Sequence, residues 1–99
     1  MAFVEPPETT VFTTSRVTEQ GYPVLVIAHD ADDGAWQFLC GTTNDPRDGV
    51  TTTLGRILAR DPEIDELGDL ALGWIAWRED ETSAWVREPH PSSLAGEPA

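Results

Sequence analysis

Residues 22–29, YPVLVIAH, give the strongest strand signal in this 99-residue chain. Apolar and mostly branched side chains run without interruption from Val24 to Ala28, which is typical of a strand that is buried on both faces or central in its sheet. Pro23 has no backbone N–H to donate, so we expect it at the start of the strand. The stretch therefore predicts a β-sheet as the framework of the fold.

Two further strands are predicted on either side of this one. Residues 11–15, VFTTS, are rich in β-branched and aromatic side chains, and the turn signal Gln20-Gly21 separates them from residues 22–29. Residues 35–40, AWQFLC, follow an Asp-Gly pair, which tolerates the positive φ of a hairpin turn. Because the three strands follow one another with turns between them, we expect a three-stranded antiparallel meander.

The apolar period becomes helical in the second half of the chain. After a polar loop over residues 41–49, Leu54, Ile57 and Leu58 stand at i, i+3 and i+4, behind threonines that can cap a helix. Asp61-Pro62 then starts a second predicted helix, because proline suits the first helical position. The apolar side of that helix is assigned to the following residues: Ile64, Leu67 and Ala71.

Residues 72–78 and 84–87 resemble the two strands of a C-terminal hairpin. The sequence thus predicts an α+β fold, with a small antiparallel sheet of a three-stranded meander plus this hairpin, packed with two short helices. We expect one domain over residues 11–88, because a chain of this length has room for a single core. The proline-rich ends, 1–10 and 89–99, are predicted to be a flexible lead-in and a flexible tail.

Charge is the most unusual property of the composition. Eighteen acidic residues oppose six basic ones, all arginine, so the formal net charge is −12. Binding to nucleic acid phosphates is electrostatically disfavoured at this charge. No apolar run approaches the ~20 residues of a membrane span, and the N-terminus has no basic segment of the signal-peptide type. We therefore expect a cytoplasmic protein that binds neither nucleic acid nor membranes.

Residues with catalytic or metal-binding chemistry are few and lie in no recognisable motif. Cys40 and His29 fall on neighbouring predicted strands and can approach one another, but no third orienting group is evident. Asp30, Asp32 and Asp33 beside His29 suggest a cation site, yet the loop lacks the spacing of a calcium-binding loop and fits a hairpin turn. We predict no catalytic residues, no metal and no cofactor.

An acidic ridge is predicted along the second helix. Asp61, Asp65 and Asp69 recur every four residues, which places them on one side of an α-helix with Glu66 adjacent. Like charges at this spacing repel each other by a few tenths of a kcal/mol, so the ridge gains from a basic partner. The alternative interpretation is an ordinary solvated helix face.

Tryptophan is abundant near the C-terminal hairpin. Trp74 and Trp77 lie three residues apart on one predicted strand, so they project from opposite faces, and both cannot enter the same core. An exposed tryptophan next to acidic groups is typical of a protein interface. A second small hydrophobic cluster beneath the loops explains the pair equally well.

The order and spacing of several core-type residues resemble a bacterial domain family of unknown function that is related to immunity proteins of polymorphic toxin systems. The motifs that carry the resemblance are these: Trp36-Gln37-Phe38-Leu39-Cys40-Gly41, Leu54-Gly55 with Ile57-Leu58, Leu72-Gly73-Trp74 with Ala76-Trp77-Arg78, and Trp85-Val86-Arg87-Glu88. The resemblance spans roughly residues 11–88 and contains no catalytic residues to transfer. It implies a small cytosolic protein that binds and neutralises a basic toxin enzyme.

Three functions remain open at this point. The first is an acidic, non-catalytic protein-binding domain, in which Asp61, Asp65, Glu66 and Asp69 attract a basic toxin and Trp74 or Trp77 anchors it. A regulatory or interaction domain with a non-toxin partner has the same charge and tryptophans. An enzyme that uses Cys40 and His29 is the weakest of the three. The oligomeric state does not follow from the sequence.

Overall fold

Six strands form one mixed sheet in the computed structural model, which describes residues 3, 5–31, 34–40 and 49–89. The strands are β1 (Thr10–Thr14), β2 (Val26–His29), β3 (Trp36–Leu39), β4 (Gly49–Thr53), β5 (Trp74–Trp77) and β6 (Val86–Pro89). Two short α-helices, α1 (Ser15–Thr18) and α2 (Leu54–Arg60), and a 3₁₀ helix (Pro62–Asp69) complete the described fold. The predicted α+β class is confirmed.

The sheet is larger than predicted and its strand order is β4-β1-β3-β2-β5-β6. β2 has the predicted interior position, and β5 and β6 form the predicted hairpin. The meander differs from the prediction because β3 lies between β1 and β2 and pairs with β1 in parallel. Helix α1 begins directly after β1, so the chain leaves the sheet there instead of turning back in a tight hairpin.

Strand β4 was not predicted. Its sequence, GVTTT, overlaps a region that reads as a polar loop followed by capping threonines, and residues 41–48 of that loop lie outside the described residues. The strand pairs antiparallel with β1 and forms an edge of the sheet. The capping role is confirmed for Thr53, whose side-chain oxygen accepts a hydrogen bond from the Arg56 backbone N–H at 3.3 Å.

The hydrophobic core lies between one face of the sheet and the helices. Thr13, Phe38, Ile27 and Ala76 stand side by side on β1, β3, β2 and β5, and all four are almost fully buried. The apolar side chains that cover them come from the helices: Val17 on α1, Leu54 and Ile57 on α2, and Ile64 and Leu67 on the 3₁₀ helix. The described helices therefore cover this face, which we call the core face.

The second predicted helix is a 3₁₀ helix with a period of three residues per turn. Its buried side chains are accordingly Ile64 and Leu67, with Leu70 three residues further on at the end of the helix. Ala71, which the four-residue spacing of an α-helix placed on the apolar side, is exposed. The change of helix type therefore changes which residues share a face.

The N-terminal segment packs against the domain. Phe3 is 4% exposed, and its ring meets the Trp36 ring edge-on at 4.8 Å between centroids. The Trp36 indole N–H donates to the Glu5 carboxylate at 2.8 Å, and the Gly55 N–H donates to the Pro7 carbonyl at 2.8 Å. Described residues of the predicted flexible lead-in thus contribute to the core. Of the predicted tail, residues 90–99 lie outside the described residues.

Candidate protein-interaction surfaces

The sheet has a second face on which no described helix packs, and we call it the open face. The strand register places its apolar members in two adjacent rows. One row holds Phe12, Ala28 and Ile75, with the polar Gln37 between Phe12 and Ala28, and the other holds Leu39, Val26, Trp77 and Val86. None of these side chains belongs to the hydrophobic core cluster. Phe12 is 47% exposed and Val86 is 42% exposed, whereas Ala28 in the middle of the sheet is buried.

Charge is almost absent from the open face. Among the described strand residues whose side chains project there, Glu88 on β6 is the single charged one. Its carboxylate accepts a hydrogen bond from the Trp77 indole N–H at 3.2 Å, so this charge is already engaged by a neighbour on the same face. The Asp30 carboxylate, just past the end of β2, accepts hydrogen bonds from the Gln37 amide of the same face. Few of the described acidic side chains of this chain therefore lie on or beside the open face.

The acidic side chains of the 3₁₀ helix lie on the other side of the molecule, where that helix covers the core face. The prediction that Asp61, Asp65 and Asp69 share one side of the helix is wrong. In a helix with three residues per turn, side chains four apart point about 120° away from one another. The residues that share an exposed side are instead spaced by three: Glu63, Glu66 and Asp69.

Two of the predicted ridge carboxylates are ion-paired within the domain. Asp61 lies 2.8 Å from Nη2 of Arg78, and Asp69 lies 2.7 Å from Nη1 of Arg87. The hydrogen bond and the positive charge of Arg87 hold the pKa of Asp69 below its ordinary value of 3.8. These carboxylates therefore hold the 3₁₀ helix against β5 and β6, besides contributing to the negative surface.

Arg78 is buried, which no local sequence pattern predicts. Its side chain is 1% exposed, and Nε and Nη2 donate to the Val24 carbonyl at 3.1 and 3.0 Å. Its guanidinium carbon lies 4.4 Å from the centre of the Trp85 ring. Stacking on an aromatic face and hydrogen bonds to backbone carbonyls are how proteins accommodate a buried guanidinium.

The third tryptophan of the hairpin region lines a cleft beside the acidic residues. This cleft, of about 530 Å³, lies between the 3₁₀ helix and residues 83–85, and its lining includes Asp65, Glu66 and Trp85. The Trp85 indole nitrogen is buried and has no hydrogen-bond partner among the described residues. Sequence reasoning did not select Trp85 as a candidate, because its place in this cleft depends on the packing of the 3₁₀ helix and not on local pattern.

The two candidate anchor tryptophans are separated, as predicted. Trp77 lies on the open face, whereas Trp74 has the same strand parity as the buried Ala76 and projects on the core-face side, where it is 38% exposed. The structure therefore divides the predicted partner-binding residues between two surfaces. Of these residues, Trp77 lies on the open face, and the acidic residues and Trp74 lie on the core-face side.

His29 and Cys40 do not form a thiol–imidazole pair. His29 pairs with Trp36 at one end of the β2–β3 hairpin, and Cys40 follows the other end of β3. The His29 ring stacks on Trp36 at 3.9 Å, and its Nδ1 lies 2.7 Å from the Leu70 carbonyl oxygen. Cys40 is buried, and its sulfur accepts a long hydrogen bond from the Thr14 hydroxyl.

Other predicted absences concern metal and membrane. Within residues 3, 5–31, 34–40 and 49–89, no group of three or more His, Cys, Asp or Glu side chains is placed to hold a metal ion. Asp30 accepts two hydrogen bonds from the Gln37 side-chain amide, while Asp32 and Asp33 lie outside the described residues. None of the described helices is long and apolar enough to cross a membrane.

Comparisons with protein-family models, curated proteins and solved structures find no match to this chain. The resemblance to immunity proteins therefore stays a prediction, carried by the motifs quoted above.

Proposed function

We propose that this protein is a non-catalytic protein-binding domain that docks a basic partner protein onto its open face. The observation that carries the proposal is the apolar character of that face, with Phe12 and Val86 each more than two-fifths exposed. An antiparallel sheet face that meets only water normally carries polar side chains. Contiguous exposed apolar patches on small proteins commonly mark interaction sites.

The distribution of charge supports a basic partner. A net charge of −12 raises the encounter rate with a positively charged protein, and it repels acidic ones. Among the described residues, the carboxylates on or beside the open face are those of Glu88 and Asp30, and each already accepts a hydrogen bond from a side chain of that face, so docking there desolvates little charge. In this proposal the acidic surface attracts the partner at long range, and the open face packs against it on contact.

The resemblance to immunity proteins specifies the class of partner. In this proposal the partner is a toxin enzyme with a basic surface, and binding of the domain blocks its active site or substrate path. Trp77 and Phe12 are the anchors, since large aromatic side chains dominate the binding energy of most interfaces. The acidic groups of the 3₁₀ helix contribute to attraction rather than to the contact itself.

The test is capture of the partner from the native lysate by tagged variants that differ only in the open face. Phe12→Asp and Val86→Asp place a carboxylate at the edges of the apolar patch, while Leu72→Asp adds the same charge at an apolar residue that is 56% exposed elsewhere. Each variant is more acidic than the parent. Simple charge attraction would therefore strengthen capture of a basic protein in all three.

We expect the parent and Leu72→Asp to retain a stoichiometric basic protein that elutes with rising salt. We expect Phe12→Asp and Val86→Asp to lose it, because docking would bury an unpaired charge. Equal capture by all four proteins would refute docking on the open face. A captured partner that is acidic, or whose binding is insensitive to salt, would refute the charge argument.

A further inference from the structure

A cleft of about 290 Å³ lies where helix α2 meets β4 and the end of α1. Its lining residues combine two arginines, two threonines and an apolar wall: Arg56, Arg60, Thr18, Thr52, Ile57 and Ala59. Arg56 and Arg60 are four residues apart on an α-helix, so their side chains share one side of it. The cleft is on the helical side of the molecule, away from the open face.

The charge of this cleft is opposite to that of the rest of the protein. No carboxylate lines it, although the chain has eighteen acidic residues, and acidic side chains line the two other clefts described for this domain. Arg78 and Arg87 each pair with a carboxylate. Within the described part of the chain, Arg56 and Arg60 form no ion pair, although Arg60 also borders the neighbouring cleft that Asp61, Glu63 and Glu81 line.

Arg60 is held in place by backbone rather than by an acid. Its Nη1 donates to the Thr18 carbonyl at 3.5 Å, at the end of α1. A Cβ atom at Gly21 would lie 3.7 Å from Nη2, so the guanidinium rests against the turn that follows α1. The Arg56 side chain stands one turn earlier and is exposed. The two guanidinium groups thus border one cleft, and most of their N–H donors meet no acceptor among the described residues.

We propose that this cleft binds the phosphoryl group of a small molecule. Two guanidinium groups offer paired N–H donors whose spacing matches two oxygens of a phosphate. Thr52 adds a hydroxyl to the same cleft, whereas the Thr18 hydroxyl already donates to the Thr14 carbonyl at 3.5 Å. A phosphate monoester carries close to two negative charges at neutral pH, which balances two arginines better than a single carboxylate does. A nucleic acid is excluded by its repulsion from the other acidic surfaces.

The proposal is independent of the partner-binding function, because it concerns residues on another side of the domain. The probe is inorganic phosphate, added to the ¹⁵N-labelled protein at constant ionic strength above neutral pH while amide shifts are recorded. Acetate at the same ionic strength is the second probe. The variants are Arg56→Gln with Arg60→Gln, the same pair changed to lysine, and Arg87→Gln as a control arginine outside the cleft.

We expect phosphate to shift the amides of β4 and α2, and the double glutamine variant to weaken this binding by about tenfold or more. The double lysine variant keeps the two positive charges but loses the paired N–H donors of the guanidinium groups, so it should bind phosphate with intermediate affinity. Arg87→Gln should bind as the parent does, and acetate about tenfold more weakly than phosphate. Unchanged binding in the double glutamine variant, equal binding of acetate, or no phosphate-induced shift would overturn the proposal.

Discussion

Arg78 and Asp61 meet at 2.8 Å, and their ion pair joins the end of β5 to the start of the 3₁₀ helix. The arginine side chain is 1% exposed and the aspartate side chain 24%, so the positive partner is the buried one. Because Arg78 also donates twice to the Val24 carbonyl, one side chain connects β5, the segment before β2 and the 3₁₀ helix. Together with the exposed pair of Arg87 and Asp69, this buried side chain helps to hold the 3₁₀ helix on the sheet.

Replacing Arg78 by methionine should lower the free energy of unfolding by about 3 kcal/mol, because it leaves Asp61 and the Val24 carbonyl without their partner. Urea unfolding followed by tryptophan fluorescence measures this change. The matched control is Arg87→Met, which breaks the exposed pair with Asp69 and should lower the free energy of unfolding much less, because water screens that pair. Equal losses in the two variants would contradict a structural role for the buried pair.

Two phenylalanines on neighbouring strands should respond very differently to truncation. Phe38 is fully buried on the core face, so Phe38→Ala should cost about 3–5 kcal/mol of stability. Phe12 is 47% exposed on the open face, and Phe12→Ala should cost less than about 1 kcal/mol. Urea unfolding of both variants measures the difference. A large loss at Phe12 would mean that its side chain is part of the core of the isolated protein.

The carboxylate of Asp69 should titrate below its ordinary pKa of 3.8, owing to its hydrogen bond with Arg87 and the arginine's charge. A pKa lowered in the folded state stabilises the fold above the unfolded-state pKa, and this contribution is lost as the pH falls through the folded-state pKa. Side-chain carboxyl ¹³C shifts against pH give the value. Arg87→Gln should raise the pKa toward 3.8, and an unchanged value in that variant would exclude the ion pair as the cause.

The thiol of Cys40 should be protected from aromatic disulfide reagents in the native protein, because its side chain is 1% exposed beneath the helices. Its modification should require opening of the core, so the rate should follow the urea dependence of unfolding. Rapid modification in the absence of denaturant would show that Cys40 is accessible. That result would reopen the interpretation of this cysteine as a reactive residue.

The local elements could be predicted from the sequence, and their arrangement could not. Residues 22–29 and 35–40 mark β2 and β3 because a strand's composition and flanking turns are local properties. The parallel pairing of β1 with β3 depends on where the chain goes after Thr14. There it enters helix α1, which has four residues and is too short to show a recognisable helical period in the sequence. β4 was missed because its threonines also suit a cap.

The candidate site was predictable only in part. The opposite orientation of Trp74 and Trp77 followed from strand parity and is confirmed. The acidic ridge failed because a four-residue period was assumed, although the spacing of three from Ile64 to Leu67 and Leu70 was visible in the sequence. The burial of Arg78 and the exposure of the open face depend on contacts between distant segments, and no local pattern encodes them.

The most direct test of docking on the open face is a chemical-shift map of the ¹⁵N-labelled domain bound to its purified basic partner. Docking there predicts shifts concentrated on the strands, with large changes at Phe12, Trp77 and Val86 and at the Trp77 indole N–H. The amides of Glu63 and Glu66 should change little. Shifts confined to the 3₁₀ helix and the cleft beside Trp85 would contradict this claim and assign binding to the acidic side.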